Sequence, residues 1–264
     1  MSPSSLPGSH DPFDAPSVDL LLPPTSFFHR RLTILPSVSS TQDQLRSSLP
    51  TPPAVLAAEI QTSGHGRQGK PWISSQPLGL WVSVLLEVDT GRLPILSLIG
   101  ALAAADAIRA LTGLEALLKW PNDLLLQNRK VAGLLVETIA QPKRPPLALL
   151  GLGLNLHQQL SDFPEDLKKS AISLRQASGR CVPRAQALAA FLDCLSTRLN
   201  QSKEEILADW RSAFTQIGRN LKVRVGADTL SGIAEKVDEA GHLHLRLPSG
   251  EVRVLASGET NFPA

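Results

Sequence analysis

The stretch of residues 119–137, KWPNDLLLQNRKVAGLLVE, constrains the fold most, because it combines tight turns with short apolar runs. The Pro-Asn-Asp triplet at 121–123 predicts a turn, since Pro fixes φ while Asn and Asp hydrogen-bond their own backbone. The apolar run 124–126 is too short for a helix, and residues 130–136 are typical of a returning strand. Such a hairpin does not need charges to fold. A polar site on a rigid sheet is therefore predicted from four residues at the strand ends: Lys119, Asp123, Lys130 and Glu137.

Composition excludes several classes of protein. Hydrophobic residues make up 42% of the chain and charged residues 19%, which is ordinary for a globular protein. A net charge of +2 gives no basic surface for nucleic acid, so no DNA partner is expected. Cys181 and Cys194, the only cysteines, indicate neither a disulfide framework nor a zinc site and favour a reducing cytoplasm. No apolar run is seen to approach the roughly 20 residues of a membrane span, so no membrane partner is expected either.

The order of patterns predicts an extension and two domains. Residues 1–28 are rich in Pro and Ser, lack periodicity, and are expected to be disordered or loosely draped. Residues 29–217 are predicted to form the main domain, and residues 218–264 alternate like a small β-barrel. The fold class is therefore α+β, a mixed sheet packed with helices. The predicted sheet strands are 31–35, 54–60, 79–87, 115–120, 124–126, 130–136 and 147–154, and the predicted helices are 42–49, 93–111, 183–199 and 203–217.

The glycine-rich segment 61–72 is the second candidate site. Gly64, Gly66 and Gly69 match G-x-G-x-x-G, but a dinucleotide-binding fingerprint opens a helix, and here Lys-Pro-Trp follows. Free backbone N–H groups with neighbouring cations still suit a phosphate. The alternative is a flexible surface loop.

These segments together resemble biotin–protein ligases. The hairpin is similar to the family's KWPND…K-x-x-G-x-L-x-E segment, residues 64–72 to its G-R-G-R-x-G-R-x-W loop, and residues 151–155 to its G-x-G-x-N strand end. The resemblance covers roughly residues 31–261 and implies that family's fold. Residues 1–28 are too short and too Pro-broken for a helix-turn-helix domain, which implies the type without a DNA-binding module and disfavours a repressor role.

The resemblance implies a set of site residues. The catalytic set is Lys130, Arg67 and Asp123, and no protein-bound metal is implied. The biotin-binding set is Ser40, Thr41, Gln42, Gln61, His65, Gly66, Arg67, Trp72, Lys130 and Gly133, and the ATP-binding set is Gly64, Arg67, Asn122, Lys130 and Asn155. The chain departs from the family where His65 and Lys70 replace arginines, and where Ala171 stands at a position that can hold an adenine-stacking aromatic.

The implied reaction adenylates biotin with ATP and Mg²⁺, and passes biotin to a lysine of a biotin carboxyl carrier protein. A carboxylate and the α-phosphate of ATP repel each other, so fixed cations and positioning are required. Two alternatives stay open: a lipoate or octanoate ligase or transferase of the same fold, and a non-catalytic biotin-binding protein. The family includes monomers and dimers, so either a monomer or a homodimer is expected.

Overall fold

The computed structural model describes residues 12–261, which form a helix-covered mixed sheet and a smaller C-terminal sheet. The strands of the first sheet are β1 (Leu32–Val38), β2 (Ala54–Gln61), β3 (Gly79–Glu87), β4 (Leu117–Lys119), β5 (Asp123–Leu126), β6 (Arg129–Ile139) and β7 (Leu147–Asn155). Their spatial order is β1-β2-β3-β7-β6-β5-β4. Only β1 and β2 pair in parallel, so the predicted mixed sheet is confirmed.

Six helices accompany this sheet in the described part of the chain. They are α1 (Ala15–Asp19), α2 (Thr41–Ser48), α3 (Leu96–Thr112), α4 (Leu174–Ser178), α5 (Arg184–Asn200) and α6 (Lys203–Ala213). Ser40 caps α2, since its side chain accepts from the backbone N–H of Asp43, and Gly113 ends α3 in the left-handed conformation. The central strands β3 and β7 are almost continuously buried because both faces of the sheet are covered there, one by α3 and α5 and the other by α2.

Helix α3 and the turn before it form an apolar stretch, residues Leu93–Thr112, that is long and apolar enough to cross a membrane by length and composition alone. The expectation that no apolar run reaches such a length is therefore wrong. In the structure 67% of this window is buried inside the protein. This burial is what a core helix shows, so the stretch is weak support for a membrane span.

The segment before β1 is packed rather than loose. Phe13, Val18 and Phe28 are buried in the main core, and the side chain of Asp14 caps α1 by accepting from the N–H of Ser17. The prediction of disorder over residues 1–28 is therefore wrong for residues 12–28. The reason is that single apolar side chains, separated by Pro and Ser residues, pack into the main core beside α5. Residues 1–11 lie outside the described residues.

The C-terminal strands form an open sheet. They are β8 (Asn220–Val225), β9 (Asp228–Val237), β10 (Leu243–Arg246), β11 (Val252–Leu255) and β12 (Glu259–Asn261), in the order β11-β10-β9-β8-β12. The predicted barrel is wrong, because β11 and β12 lie at opposite edges of the sheet and do not pair within the described residues. The sheet reaches the main domain through Trp120, whose indole N–H donates to the carbonyl of Gly241 at 2.9 Å.

Candidate active site

A cavity of about 560 Å³ lies where the glycine-rich segment, the turn before β5 and strands β6 and β7 meet. The C-terminal sheet closes part of its wall through Gly258 and Thr260. Every residue of the implied catalytic, biotin-binding and ATP-binding sets except Gly64 lines the cavity. These residues are Ser40, Thr41, Gln42, Gln61, His65, Gly66, Arg67, Trp72, Asn122, Asp123, Lys130, Gly133 and Asn155. Of the four hairpin charges, Lys119, Asp123 and Lys130 line the cavity but Glu137 does not.

One end of the cavity is a buried polar network. The Gln61 side-chain oxygen accepts from the Thr41 backbone N–H at 2.8 Å and from its hydroxyl at 3.1 Å. The Gln61 amide donates to the Ser74 hydroxyl at 3.1 Å, and the Thr41 and Ser83 hydroxyls are 2.8 Å apart. Each of these side chains is buried, so the network presents fixed donors and acceptors to a ligand without needing to reorganise.

Gln42 extends the network across the sheet. Its side-chain oxygen accepts from Ser83 at 3.3 Å, and its amide donates to the Glu137 carboxylate at 2.9 Å. A Cβ at Gly151 would lie 2.4 Å from the Gln42 oxygen, so only glycine leaves room for this side chain. Sequence reasoning missed Ser83 and Gly151. The signal for Ser83 was a single hydroxyl in the middle of the apolar strand GLWVSVLLE.

A pair of glycines forms the floor of the cavity. Gly133 and Gly153 face each other across β6 and β7, and the Trp72 ring lies on both. A Cβ added to Gly153 would lie 2.4 Å from the Trp72 indole, and a Cβ added to Gly133 would lie 3.1 Å from it. The Trp72 ring also meets Trp81 edge-on, with centroids 6.4 Å apart. The floor is therefore flat and apolar, as a hydrocarbon chain requires.

Lys130 enters the cavity because β6 carries a bulge. Leu124 pairs with Ala132 but Leu125 pairs with Lys130, so Val131 is an extra residue on β6. In an uninterrupted strand, residues 130 and 133 would point to opposite faces of the sheet. The extra residue brings both to the same face, so that the Lys130 side chain lies over Gly133. Its Nζ is 2.6 Å from Oδ1 of Asp123 and 5.1 Å from the centroid of the Trp72 ring.

The glycine-rich segment is a closed loop rather than a loose one. The Gly66 N–H donates to the Lys70 carbonyl at 2.7 Å, and the Trp72 N–H donates to the Gly64 carbonyl at 2.8 Å. Gln68 and Gly69 turn the tip with positive φ. Gly64 is absent from the cavity wall, because it is packed against Ser74, whose hydroxyl would lie 2.4 Å from an added Cβ.

Arg67 joins three separate parts of the chain. Its guanidinium donates to the Asn122 side-chain oxygen at 3.4 Å and to the Gly258 carbonyl at 3.5 Å. Two hydrogen bonds to Leu134 hold Asn122 in place. The Asn122 side-chain amide donates to the Leu134 backbone carbonyl, and the Asn122 backbone carbonyl accepts from the Leu134 N–H at 2.9 Å. The cation is thus held at the cavity wall by the loop, the turn and the C-terminal sheet. The contribution of Gly258 was not visible in the sequence.

The opposite wall is built on Asn155. Its amide donates to the carbonyls of Ile172, at 3.2 Å, and Lys130, at 3.5 Å, while its oxygen accepts from the Gln158 amide at 3.4 Å. These bonds tie the end of β7 to the segment after it. Other residues on this wall escaped the sequence reasoning: Gln158, Asp162, Phe163, Leu167 and Ser170.

The described residues hold no cluster of three or more His, Cys, Asp or Glu side chains that could bind a metal by themselves. Asn122 and Asp123 offer oxygen atoms at the cavity wall. Mg²⁺ is commonly held by one or two carboxylates together with substrate phosphates, so this donor set fits a metal that arrives with a nucleotide.

Comparison with known proteins decides the family. Residues 34–155 match the model of the biotin/lipoate A/B protein ligase family. The bifunctional ligase/repressor BirA of Bacillus spizizenii is 32% identical over 230 residues, which are 85% of this chain and 71% of that protein. The chain belongs to the biotin/lipoate A/B protein ligase family.

Two further known proteins match over most of the length of this chain. The biotin–[acetyl-CoA-carboxylase] ligase of Mycobacterium tuberculosis is 31% identical, covering 87% of this chain and 88% of that one. The biotin protein ligase of Aquifex aeolicus, solved in complex with biotin and ATP, superposes with a TM-score of 0.74 at 29% identity, over 88% of this chain and 98% of that one. Both matches therefore extend well beyond residues 34–155.

Proposed function

We propose that this family member is a biotin–protein ligase, which forms biotinyl-5'-AMP from biotin and ATP and transfers biotin to a lysine of a carrier domain. The observation that carries the proposal is the position of Lys130. The bulge in β6 puts its ammonium group beside Asp123 and over Gly133, in a cavity that the polar network and Arg67 also line. A carboxylate and a phosphate can meet there around one fixed cation.

The polar network suits the ureido head of biotin. A ureido ring offers two N–H donors and one carbonyl acceptor in a rigid plane, and Thr41, Gln61 and Ser83 present hydroxyl and amide groups. The Trp72 ring and the glycine floor then accommodate the aliphatic tail, so that the biotin carboxylate reaches Lys130. A plain acyl chain offers these groups neither a donor nor an acceptor, whereas the ureido ring offers both, which favours biotin over lipoate or octanoate.

In the first step, a carboxylate oxygen of biotin attacks the α-phosphorus of ATP, and the bond to the β-phosphate oxygen breaks. Lys130 reduces the repulsion between the two anions, because its positive charge lies between them. Its ammonium group has three N–H donors, so it can bond to Asp123, to the biotin carboxylate and to the α-phosphate. Arg67 holds the phosphate, and the closed loop 64–72 keeps water from the mixed anhydride. Mg²⁺ brought in with ATP supplies further positive charge at the phosphates.

In the second step, the amine of the acceptor lysine attacks the acyl carbon of biotinyl-5'-AMP, and AMP leaves. An ammonium group must lose a proton before it can attack. Asp123 lies at the cavity wall and, once its partner Lys130 engages the phosphate, can accept that proton and orient the amine. The proposed acceptor is a biotin carboxyl carrier protein, the proposed location is the cytoplasm, and both monomer and homodimer are compatible with the site.

The test is pyrophosphate release from MgATP by the purified protein, with biotin, lipoate and octanoate offered separately. We expect release with biotin alone, and a biotinyl-5'-AMP product in the mass spectrum. Release with lipoate or octanoate instead would assign the chain to the other branch of the family. Biotin binding without any release would identify a non-catalytic binding protein.

A further inference from the structure

A cysteine–histidine pair lies behind the Asn155 wall of the cavity, and the proposed ligase reaction does not use it. Sγ of Cys181 is 3.6 Å from Nδ1 of His157. Cys181 is exposed, whereas His157 is buried, with 6% of its surface accessible. A reagent can therefore reach the sulfur while the neighbouring imidazole is held by the fold.

The hydrogen bonds fix the tautomer of His157. Its Nε2 lies 2.7 Å from the backbone carbonyl of Val182, and a carbonyl oxygen can only accept. Nε2 therefore carries a proton, and in the neutral ring Nδ1 presents its lone pair. Since the distance from Sγ to Nδ1 allows a hydrogen bond, the Cys181 thiol donates to this nitrogen. The arrangement is a thiol with a fixed proton acceptor.

The acceptor is anchored on both sides. The backbone N–H of His157 donates to the Leu78 carbonyl at 2.7 Å, which holds the residue beside the start of β3. The nearest cation along the chain, Arg180, directs its guanidinium to the Leu111 carbonyl at 3.3 Å. The hydrogen bond shown for the thiol is therefore to His157, and the neighbouring cation Arg180 is bonded elsewhere.

Cys194, the second cysteine, has the opposite surroundings. It lies half-buried on α5, and burial together with the Asp106 and Asp193 carboxylates raises the pKa of its thiol to about 11. A thiol with this pKa is almost entirely protonated at neutral pH and reacts slowly. Cys194 therefore serves as a control within the same molecule.

We propose that Cys181 is a reactive modification site for soft electrophiles and peroxides, with His157 as the proton acceptor. In alkylation by iodoacetamide, the sulfur forms a bond to carbon as the carbon–iodine bond breaks, iodide leaves, and the thiol proton passes to His157. With hydrogen peroxide as the oxidant, the sulfur attacks one oxygen and the oxygen–oxygen bond breaks. The thiol proton passes first to His157 and then to the departing hydroxide, which leaves as water, and Cys181 becomes a sulfenic acid.

The pair also adjoins the ligand cavity. His157 is followed by Gln158 and lies two residues after Asn155, and both of these line the cavity wall. A bulky group on Cys181 removes the thiol donor from His157 and crowds this segment.

The experiment is alkylation of the full chain by iodoacetamide at pH 7, with adducts located by peptide mass spectrometry. We expect one adduct, at Cys181, and none at Cys194 on the same timescale. The matched variant is His157→Gln, whose amide nitrogen can keep the bond to the Val182 carbonyl but which lacks the acceptor at Nδ1. Alkylation of Cys181 in this variant should slow by on the order of ten- to a hundredfold, at or below the low end of what a positioned base contributes.

Two outcomes would overturn the proposal: equal rates for wild type and His157→Gln, or labelling of Cys194 as fast as that of Cys181. If His157→Gln does not fold, the wild-type rate decides by itself. Cys181 must then react faster than glutathione between pH 6 and 7, and a rate equal to that of glutathione rejects the proton acceptor. Cys181→Ser confirms the labelled position. These rates do not depend on ligase turnover, so they can fail or succeed independently of the proposed function.

Discussion

Nζ of Lys130 lies 2.6 Å from Oδ1 of Asp123, across the β5–β6 hairpin and at the wall of the cavity. The pair gives the lysine a counter-charge when no substrate is bound, because an unpaired ammonium in a partly buried site would be costly. A substrate carboxylate can then approach a cation that is already fixed in place. The reaction is proposed to depend on this arrangement.

Lys130→Ala tests the cation directly. Removing the ammonium leaves the carboxylate and the phosphate to repel each other, so biotinyl-5'-AMP formation should fall by roughly a hundredfold or more. The measurement is single-turnover adenylate synthesis. Arg129→Ala, next along the strand and bonded to Gln127, is the control and should remain active. Normal adenylate synthesis by Lys130→Ala would reject the assigned role.

Arg67→Gly tests the phosphate clamp. The guanidinium joins the glycine loop to Asn122 and Gly258 through long hydrogen bonds. Its proposed bond to the adenylate phosphate is charge-assisted, and such a bond is worth about 1.5–3 kcal/mol. Loss of the side chain should speed dissociation of biotinyl-5'-AMP by about tenfold or more, as measured by rapid dilution of the loaded protein. Arg67→Lys keeps the positive charge but lacks the planar guanidinium, so its dissociation rate should lie between those of the wild type and Arg67→Gly. An unchanged dissociation rate in Arg67→Gly would reject the clamp.

Gly153→Ala tests the floor of the cavity. Its Cβ would lie 2.4 Å from the Trp72 ring, so the indole must move and the loop with it. Overpacking of this kind costs about 1–3 kcal/mol, and biotin should bind roughly tenfold more weakly or worse in calorimetry. Gly91→Ala, whose nearest neighbour would be an Asp89 oxygen at 3.4 Å, is the matched control. Full affinity in Gly153→Ala would show that Trp72 is not part of the site.

Asp238 gives a prediction for pH. Partial burial acts to raise the pKa of its carboxyl, but hydrogen bonds from His244 and from the His242 and Ala240 N–H groups outweigh this and lower it below 3.8. A carboxyl with a lowered pKa in the folded state contributes stability above its unfolded pKa and loses it as the pH falls through the folded value.

Asp238→Asn should therefore reduce the free energy of unfolding at pH 6–7 by about 1 kcal/mol or less, as for a partly exposed ion pair. The difference from wild type should shrink towards zero below pH 3, as urea titrations at the two pH values would show. Glu239→Gln, at the exposed neighbour, should change little at either pH. A difference between Asp238→Asn and wild type that stays constant with pH would contradict the assigned hydrogen-bonded carboxylate.

Much of the site could be predicted from local patterns. Charges at the ends of the short apolar strands indicated Lys130 and Asp123, and glycines beside Arg67 indicated a phosphate loop. Each of these two signals lies within one short segment of the sequence, residues 119–137 for the first and residues 61–72 for the second. The pairing of strands, by contrast, decides that Gly133 faces Gly153 and that both accommodate Trp72. No pattern within a single strand contains that information.

Long-range contacts account for what sequence reasoning missed. Gly258 reaches Arg67 from the far end of the chain, and a five-strand pattern does not reveal whether its outermost strands, β11 and β12, pair with each other. Phe13, Val18 and Phe28 are spaced irregularly among polar residues, so their burial follows from the shape of the neighbouring core rather than from any periodicity. Tertiary contacts override local composition at these positions.

The most direct test of the account is a mass spectrum of an apo biotin carboxyl carrier domain, taken after incubation with this protein, biotin and MgATP. We expect the carrier to gain the mass of one biotinyl group, on a single lysine, and to gain nothing when ATP is omitted. With Lys130→Ala the same adduct should form about a hundredfold more slowly or worse. An unmodified carrier, with biotin and ATP both present and the protein folded, would contradict the assignment of this cavity to protein biotinylation.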